Sequence, residues 1–186
     1  SKKILRLGVA LLGLRIAVSD VVVRGGGVVG LVLVGIALTI AIGLLAARFL
    51  DEENRLGMLI GGATAICGAS AALALSSVLP RGKDHETSTI FTVVAVTTLS
   101  TVAMVIYPAI FKAIGFTDRE VGILIGATIH DVAQVVGAGY AVSDVAGDTA
   151  TIVKLMRVAM LLPVVLIVSV VFASARRKAD PDAKPA

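Results

Sequence analysis

An apolar stretch long enough to cross a bilayer, yet polar at its centre, constrains this chain more than any other feature. Residues 121–142 read VGILIGATIHDVAQVVGAGYAV and carry His130, Asp131 and Gln134 in the middle. About 20 residues at ~1.5 Å rise cover the ~30 Å hydrocarbon core of a membrane. Ionisable groups at that depth cost roughly 2.5 to 3.5 kcal/mol on insertion scales, so they face a cavity and work there. Gly126 on one side and Gly137 and Gly139 on the other let the helix unwind around the cluster. The expectation is a discontinuous helix, a feature of secondary transporters.

The rest of the chain agrees with a membrane setting. Of 186 residues, 57% are hydrophobic and 16% charged, a balance outside the range of soluble domains. We expect an all-α, polytopic membrane helical bundle of about six membrane segments, two of them discontinuous or re-entrant. The transmembrane domain covers residues 1–175, and residues 176–186 form a disordered basic tail. The first basic cluster runs into a full-length apolar stretch without a small-residue cleavage site, so a signal peptide is not expected. A single cysteine, Cys67, excludes a disulfide framework and a multi-thiolate zinc site. No cofactor, metal or nucleic-acid partner is expected. The net charge of +4 sits in loops and tails, where the positive-inside rule explains it.

Residues 4–23 form a first span carrying Arg6, Arg15 and Asp20. Residues 28–47 form an uncharged second span whose Gly30, Gly35 and Gly43 permit close packing. The third segment, 57–79, has the small-residue core GGATAICGASAAL. The fourth, 89–110, is rich in Thr, Val and Ala. The polar-centred stretch is the fifth, and the sixth, 149–172, holds Lys154 and Arg157 three apart on one face. Counting loop Lys and Arg puts both termini in the cytoplasm, with Arg24, Arg81 and Lys83 opposite. The tally is the same for six spans and for four spans plus two hairpins, and it rejects a single hairpin.

Set against the fifth segment, the third pairs Gly62, Ala63 and Thr64 with Gly126, Ala127 and Thr128. Both offer a half-helix start whose free N–H groups and hydroxyls, Thr64, Ser70 and Thr128, can receive an anion. Counting from helix ends places Arg15, Cys67, His130 and Asp131 roughly 14 to 18 Å deep, with Arg157 about 12 Å deep. Arg15, Lys154 and Arg157 outnumber Asp131 there, a cationic excess that an anionic ligand would correct. His130 changes charge near neutral pH, and Asp131 beside it can hold or take the proton.

Plainer roles stand beside these. Asp131 could pair with Lys154 or Arg157 to lock two helices, and Gln134 could make an interhelical hydrogen bond. Cys67 could be a small apolar residue, Arg15 could pair with Asp20, and His85 could be solvated in its charged loop.

The runs SKKILRLGVALLGLR, ICGASA, GATIHDVAQVVGAGYA and ATIVKLMRVAMLLPVV, in this order, resemble the YeiH-like family of bacterial inner-membrane sulfate exporters. The resemblance covers nearly the whole chain and implies a proton- or ion-coupled anion carrier built from inverted repeats. Where that family typically has Glu after the His, this chain has Asp131, a shorter carboxylate. Family members also carry further spans before the SKK motif and after the tail, so the chain resembles their central part.

The leading expectation is therefore a secondary transporter of a small anion, sulfate or a related oxyanion, in the inner membrane as a monomer or homo-oligomer. Arg15, Lys154 and Arg157 supply charge, Thr64, Ser70, Thr128 and Gln134 supply polar contacts, and His130 with Asp131 carries the coupling proton. The rivals are a cation/proton antiporter using Asp131, a membrane enzyme using Cys67 and His130, and a structural subunit. Only two His and no metal-ligand spacing weigh against the enzyme, so no catalytic residue is assigned.

Overall fold

The computed structural model describes residues 26–80, 82 and 84–179, which form helices without strands. Arg15, Asp20 and the expected first span lie outside the described residues, as do 180–186. In chain order the helices are α1 (Gly26–Phe49), α2 (Asn54–Ala65), α3 (Ala69–Val78), α4 (His85–Ile114), α5 (Asp118–Thr128), α6 (Val132–Val142), α7 (Asp144–Ala159) and α8 (Leu161–Ala179). Helix α8 includes residues 176–179, the first part of the stretch expected as a tail.

Three of these units are long and apolar enough to cross a bilayer: Gly30–Phe49, His85–Ile114 and Asp144–Phe172. The last is interrupted at Met160, a turn residue between α7 and α8. Pro163 follows at the start of α8, where its missing N–H removes the bond that would join the two turns.

The third and fifth segments are not continuous spans. Helices α2, α3, α5 and α6 have 12, 10, 11 and 11 residues. At ~1.5 Å per residue each reaches only about half the hydrocarbon thickness. Each pair folds back as a hairpin. In the first, Gly62 lies against Leu75, and the Arg55 guanidinium at its start donates to the Pro80 carbonyl at its end, 3.1 Å. In the second, Gly122 and Gly139 both rest on Ala146, and Asp118 at its start accepts a hydrogen bond from Ser143 at its end.

Helix α4 joins the two hairpins and fixes their relative sense. Its first turns hold the mouth of hairpin 1, through His85 and Thr89 bonded to Ser76. Its last turns lead into the mouth of hairpin 2, where Lys112 pairs with Asp118 at 2.7 Å. The mouths therefore open at opposite ends of α4, and the tips meet midway along it, Gly68 against Val96 and His130 on Ser100. His85, expected in solvent, is instead half-buried in this Ser76 contact.

Small residues bring the helices together. Gly43 of α1 sits where a Cβ would come 2.7 Å from the Gly61 Cα of α2, so α1 and α2 touch backbone to backbone. Among the described residues, a Cβ at Gly30 or Gly35 would meet nothing within 4 Å. Gly126 does not unwind its helix. It lies within α5, where a Cβ would stand 2.5 Å from the Ala150 carbonyl of α7. The break begins three residues later, at Ile129, and ends where Asp131 caps α6.

Candidate functional site

Each hairpin tip is a three-residue break, 66–68 in the first and 129–131 in the second. Gly68 turns the first tip with φ +63 and ψ −119, a conformation that favours glycine. A Cβ there would also lie 3.2 Å from the His130 Cβ, so the tips touch at this point. Asp131 starts the second helix as its N-cap, its Oδ1 accepting from Ala133 N at 2.8 Å and Gln134 N at 3.2 Å.

Helix α7 clasps both tips. The Lys154 ammonium, fully buried, donates to the Ile66 carbonyl at 2.7 Å and the Ile129 carbonyl at 3.0 Å. These residues are the C-caps of α2 and α5. One turn on, Arg157 donates from Nε to Ala65, from Nη1 to Gly126 and Ala127, and from Nη2 to Thr64 and Ala65. All five guanidinium N–H groups are thereby committed to backbone carbonyls. The ammonium has three N–H groups and spends two. Helix C-termini leave their last carbonyls unpaired and carry partial negative charge, so cations belong there.

The equivalence of Ile66 and Ile129 sets the correspondence between the hairpins. It falls one residue short of the register that aligns Gly62 with Gly126. The breaks also place Thr64 and Thr128 at the carbonyl ends of their half-helices, not at the starts expected from sequence. Thr128 Oγ1 donates within its own helix to Leu124 at 2.6 Å. Ser70 does lie at a half-helix start, exposed, in the first turn of α3. That start has no oxygen cap. Its N-cap is Gly68, and the Cys67 sulfur takes only the Ala71 N–H.

Neither cation is paired with a carboxylate among the described residues, where the ion pairs are Arg55 with Glu53 and Lys112 with Asp118. The carboxylate of Asp131 caps α6 instead. By the usual allocation of about half a charge to each helix end, the four half-helix ends at the tips cancel in pairs. Among the described residues Asp131 offsets one cation, and about one positive charge is left over.

Residues not singled out in the sequence complete the site. Ser100, fully buried on α4, accepts from the backbone N–H of His130 at 3.1 Å and Asp131 at 3.3 Å. Thr101 beside it accepts from Gln134 Nε2 at 2.9 Å, the interhelical bond considered for that residue. The signal was the polar stripe Thr89, Thr92, Ser100, which keeps helical spacing through an apolar span. Outside the bilayer, the Lys112 ammonium and Ser143 hydroxyl hold Asp118 below the usual carboxylate range. Bonds from Thr117 do the same for Glu120.

Two hairpins entering from opposite ends of a helical membrane bundle, with tips joined by buried cations, define a polytopic membrane protein with a mid-depth polar site. The chain belongs to the UPF0324 family, the YeiH-like one: the family model described as "Conserved hypothetical protein 698" matches residues 1–184. It is 55% identical over 174 residues to a UPF0324 membrane protein of Rhizobium meliloti, covering 94% of this chain and 50% of that one. It is 51% identical over 182 residues to the UPF0324 membrane protein TauZ of Paracoccus pantotrophus, covering 98% and 54%. A Chlorobaculum tepidum relative is 49% identical over 178 residues, covering 96% and 50%. The chain thus spans about half the length of the curated relatives it matches. No solved structure matches.

Proposed function

We propose that the protein is part of a secondary transporter that exports a small anion, sulfate or a related oxyanion, across the bacterial inner membrane, coupled to protons or another ion. The observation that carries this reading is the pair of buried cations, Lys154 and Arg157, with no carboxylate on either and about one positive charge uncompensated among the described residues. The open start of α3, next to the Lys154 ammonium, offers the anion its seat, with the N–H groups of Ala69 and Ser70 and the Ser70 hydroxyl as donors. Arg157 acts by its charge and by holding the carbonyl ends, since its donors are spent. Opposed hairpins also suit alternating access, because an inverted pair presents one tip toward each side of the membrane. The positive-inside tally is the same with two hairpins and supports cytoplasmic termini.

The orphaned Gln134 Oε1 and exposed Asp131 favour a second reading, a cation/proton antiporter. Flux into proteoliposomes separates the two. Uptake of labelled sulfate, sulfite or a small carboxylate that responds to pH supports the anion carrier. Sodium-driven proton movement with no anion flux sinks it.

A further inference from the structure

Two buried polar atoms at the second tip have no hydrogen-bond partner among the described residues, His130 Nδ1 and Gln134 Oε1. Such atoms are rare and demand an explanation. The amide orientation of Gln134 follows from its neighbours. Thr101 donates its hydroxyl hydrogen to the Thr97 carbonyl at 2.9 Å, so toward Gln134 it can only accept. Gln134 must then present its NH2 group, and Oε1 is left as an acceptor without a donor.

His130 lies in the break and Gln134 in the first turn of α6, and adjacent residues of α4 tether them, Ser100 and Thr101. The tethers hold both residues against the same turn of α4. Nδ1 has no partner among the described residues, and an Nδ1–H that reached Gln134 would find an acceptor there. Both atoms belong to one tip, and closing the ring onto Oε1 would let one proton satisfy both.

We propose that His130 Nδ1 is the seat of the coupling proton, that the protonated ring closes onto Gln134 Oε1, and that this proton binds together with the transported anion. The proposal rests on the anion-carrier reading and deepens it. In the step, a proton from water adds to the Nδ1 lone pair while the other ring nitrogen keeps its hydrogen. The imidazole becomes a cation, and the new N–H donates to Oε1.

The groups facing His130 explain the cooperativity. Lys154 and Arg157 approach from α7, Cys67 from the first tip, and Asp131 follows it on its own tip. A third cation beside Lys154 and Arg157, of whose charge Asp131 offsets about one, is opposed by Coulomb repulsion, and an anion at the start of α3 removes that opposition. By linkage the benefit is mutual, so the anion binds more tightly as pH falls.

The test is proton uptake on anion binding, measured on the purified protein with sulfate, sulfite and acetate by calorimetry in buffers of different ionisation enthalpy. Any anion that binds near neutral pH should bring a substantial fraction of one proton with it. His130→Asn should bind the anion without the uptake, and Gln134→Leu should move the uptake to lower pH, both with melting temperatures close to the parent. Binding without proton uptake in the parent protein, or uptake unchanged in both variants, overturns the proposal and leaves the anion site standing. Failure of all three anions to bind removes the anion-carrier reading and this proposal with it.

Discussion

Ile66 and Ile129, in equivalent positions of two separate hairpins, offer their carbonyl oxygens to one ammonium, that of Lys154, at 2.7 and 3.0 Å. One side chain thus joins both tips, and Arg157 repeats the arrangement one turn later. The first structural consequence is that α7 acts as the keystone of the site. Replacing Lys154 with Met removes two charge-assisted bonds worth roughly 1.5 to 3 kcal/mol each. We expect the thermal midpoint in detergent to fall markedly, and by more than for Val145→Ala on the exposed side of the same helix. Equal midpoints would show that the tips do not depend on the ammonium.

The hairpin topology is open to direct labelling. In a Cys67→Ala background, single cysteines at Glu52 and Asp84 should react with an impermeant thiol reagent from one side of the membrane. Cysteines at Arg119 and Asp144 should react from the other. Two full crossings would put the members of each pair on opposite sides.

Gly68→Ala tests the contact between tips. The φ of +63 carries a penalty of order 1 to 3 kcal/mol for a residue with a Cβ, and the added methyl lies 3.2 Å from His130. We expect reduced stability and faster hydrogen exchange at residues 129–134. Protection of those amides at the parental level would mean that the tips are not in contact.

Ser100→Ala leaves two backbone donors at the second tip without their acceptor. Each buried unsatisfied donor costs about 1 to 3 kcal/mol. We expect destabilisation that Ser100→Thr partly restores, read by the same melting assay. Loss in both variants alike would point to packing instead of the hydroxyl.

At the mouth of hairpin 2 the effect of pH has a definite sign. Asp118 is depressed chiefly by the Lys112 hydrogen bond, so its contribution is present above the unfolded carboxylate value and is lost as pH falls through the lower folded value. Neutral solution should therefore leave the mouth closed, and acid below about pH 4 should open it. Hydrogen exchange at the first turn of α5 would register this, and Asp118→Asn should remove the dependence. A transition near neutral pH would assign the latch elsewhere.

The sequence was legible where one residue type has one meaning in lipid. A His-Asp pair inside an apolar stretch marks a broken helix, and Lys154 and Arg157 three apart mark a shared face turned from lipid. The hairpins were harder to see because a hairpin of two half-length helices has the same length and hydropathy as one span. Only contacts such as Arg55 with Pro80 distinguish them. The glycines misled for a related reason: Gly126 reads equally well as a hinge and as a contact, and the close approach of α7 decides for the contact. The cations were recognised by charge, but their partners are carbonyls, which every residue has and no sequence pattern reveals. Ser100 was hidden among other hydroxyls of α4 for want of knowing which turn meets the tips.

Equilibrium binding of small oxyanions to the purified protein, parent against Lys154→Gln, most directly tests whether buried positive charge between the hairpin tips holds an anion. We expect the parent to bind at least one of sulfate, sulfite and thiosulfate, and the variant to bind it at least tenfold more weakly, about 1.4 kcal/mol. The opposite result is no binding in the parent, or affinity unchanged when the ammonium is gone.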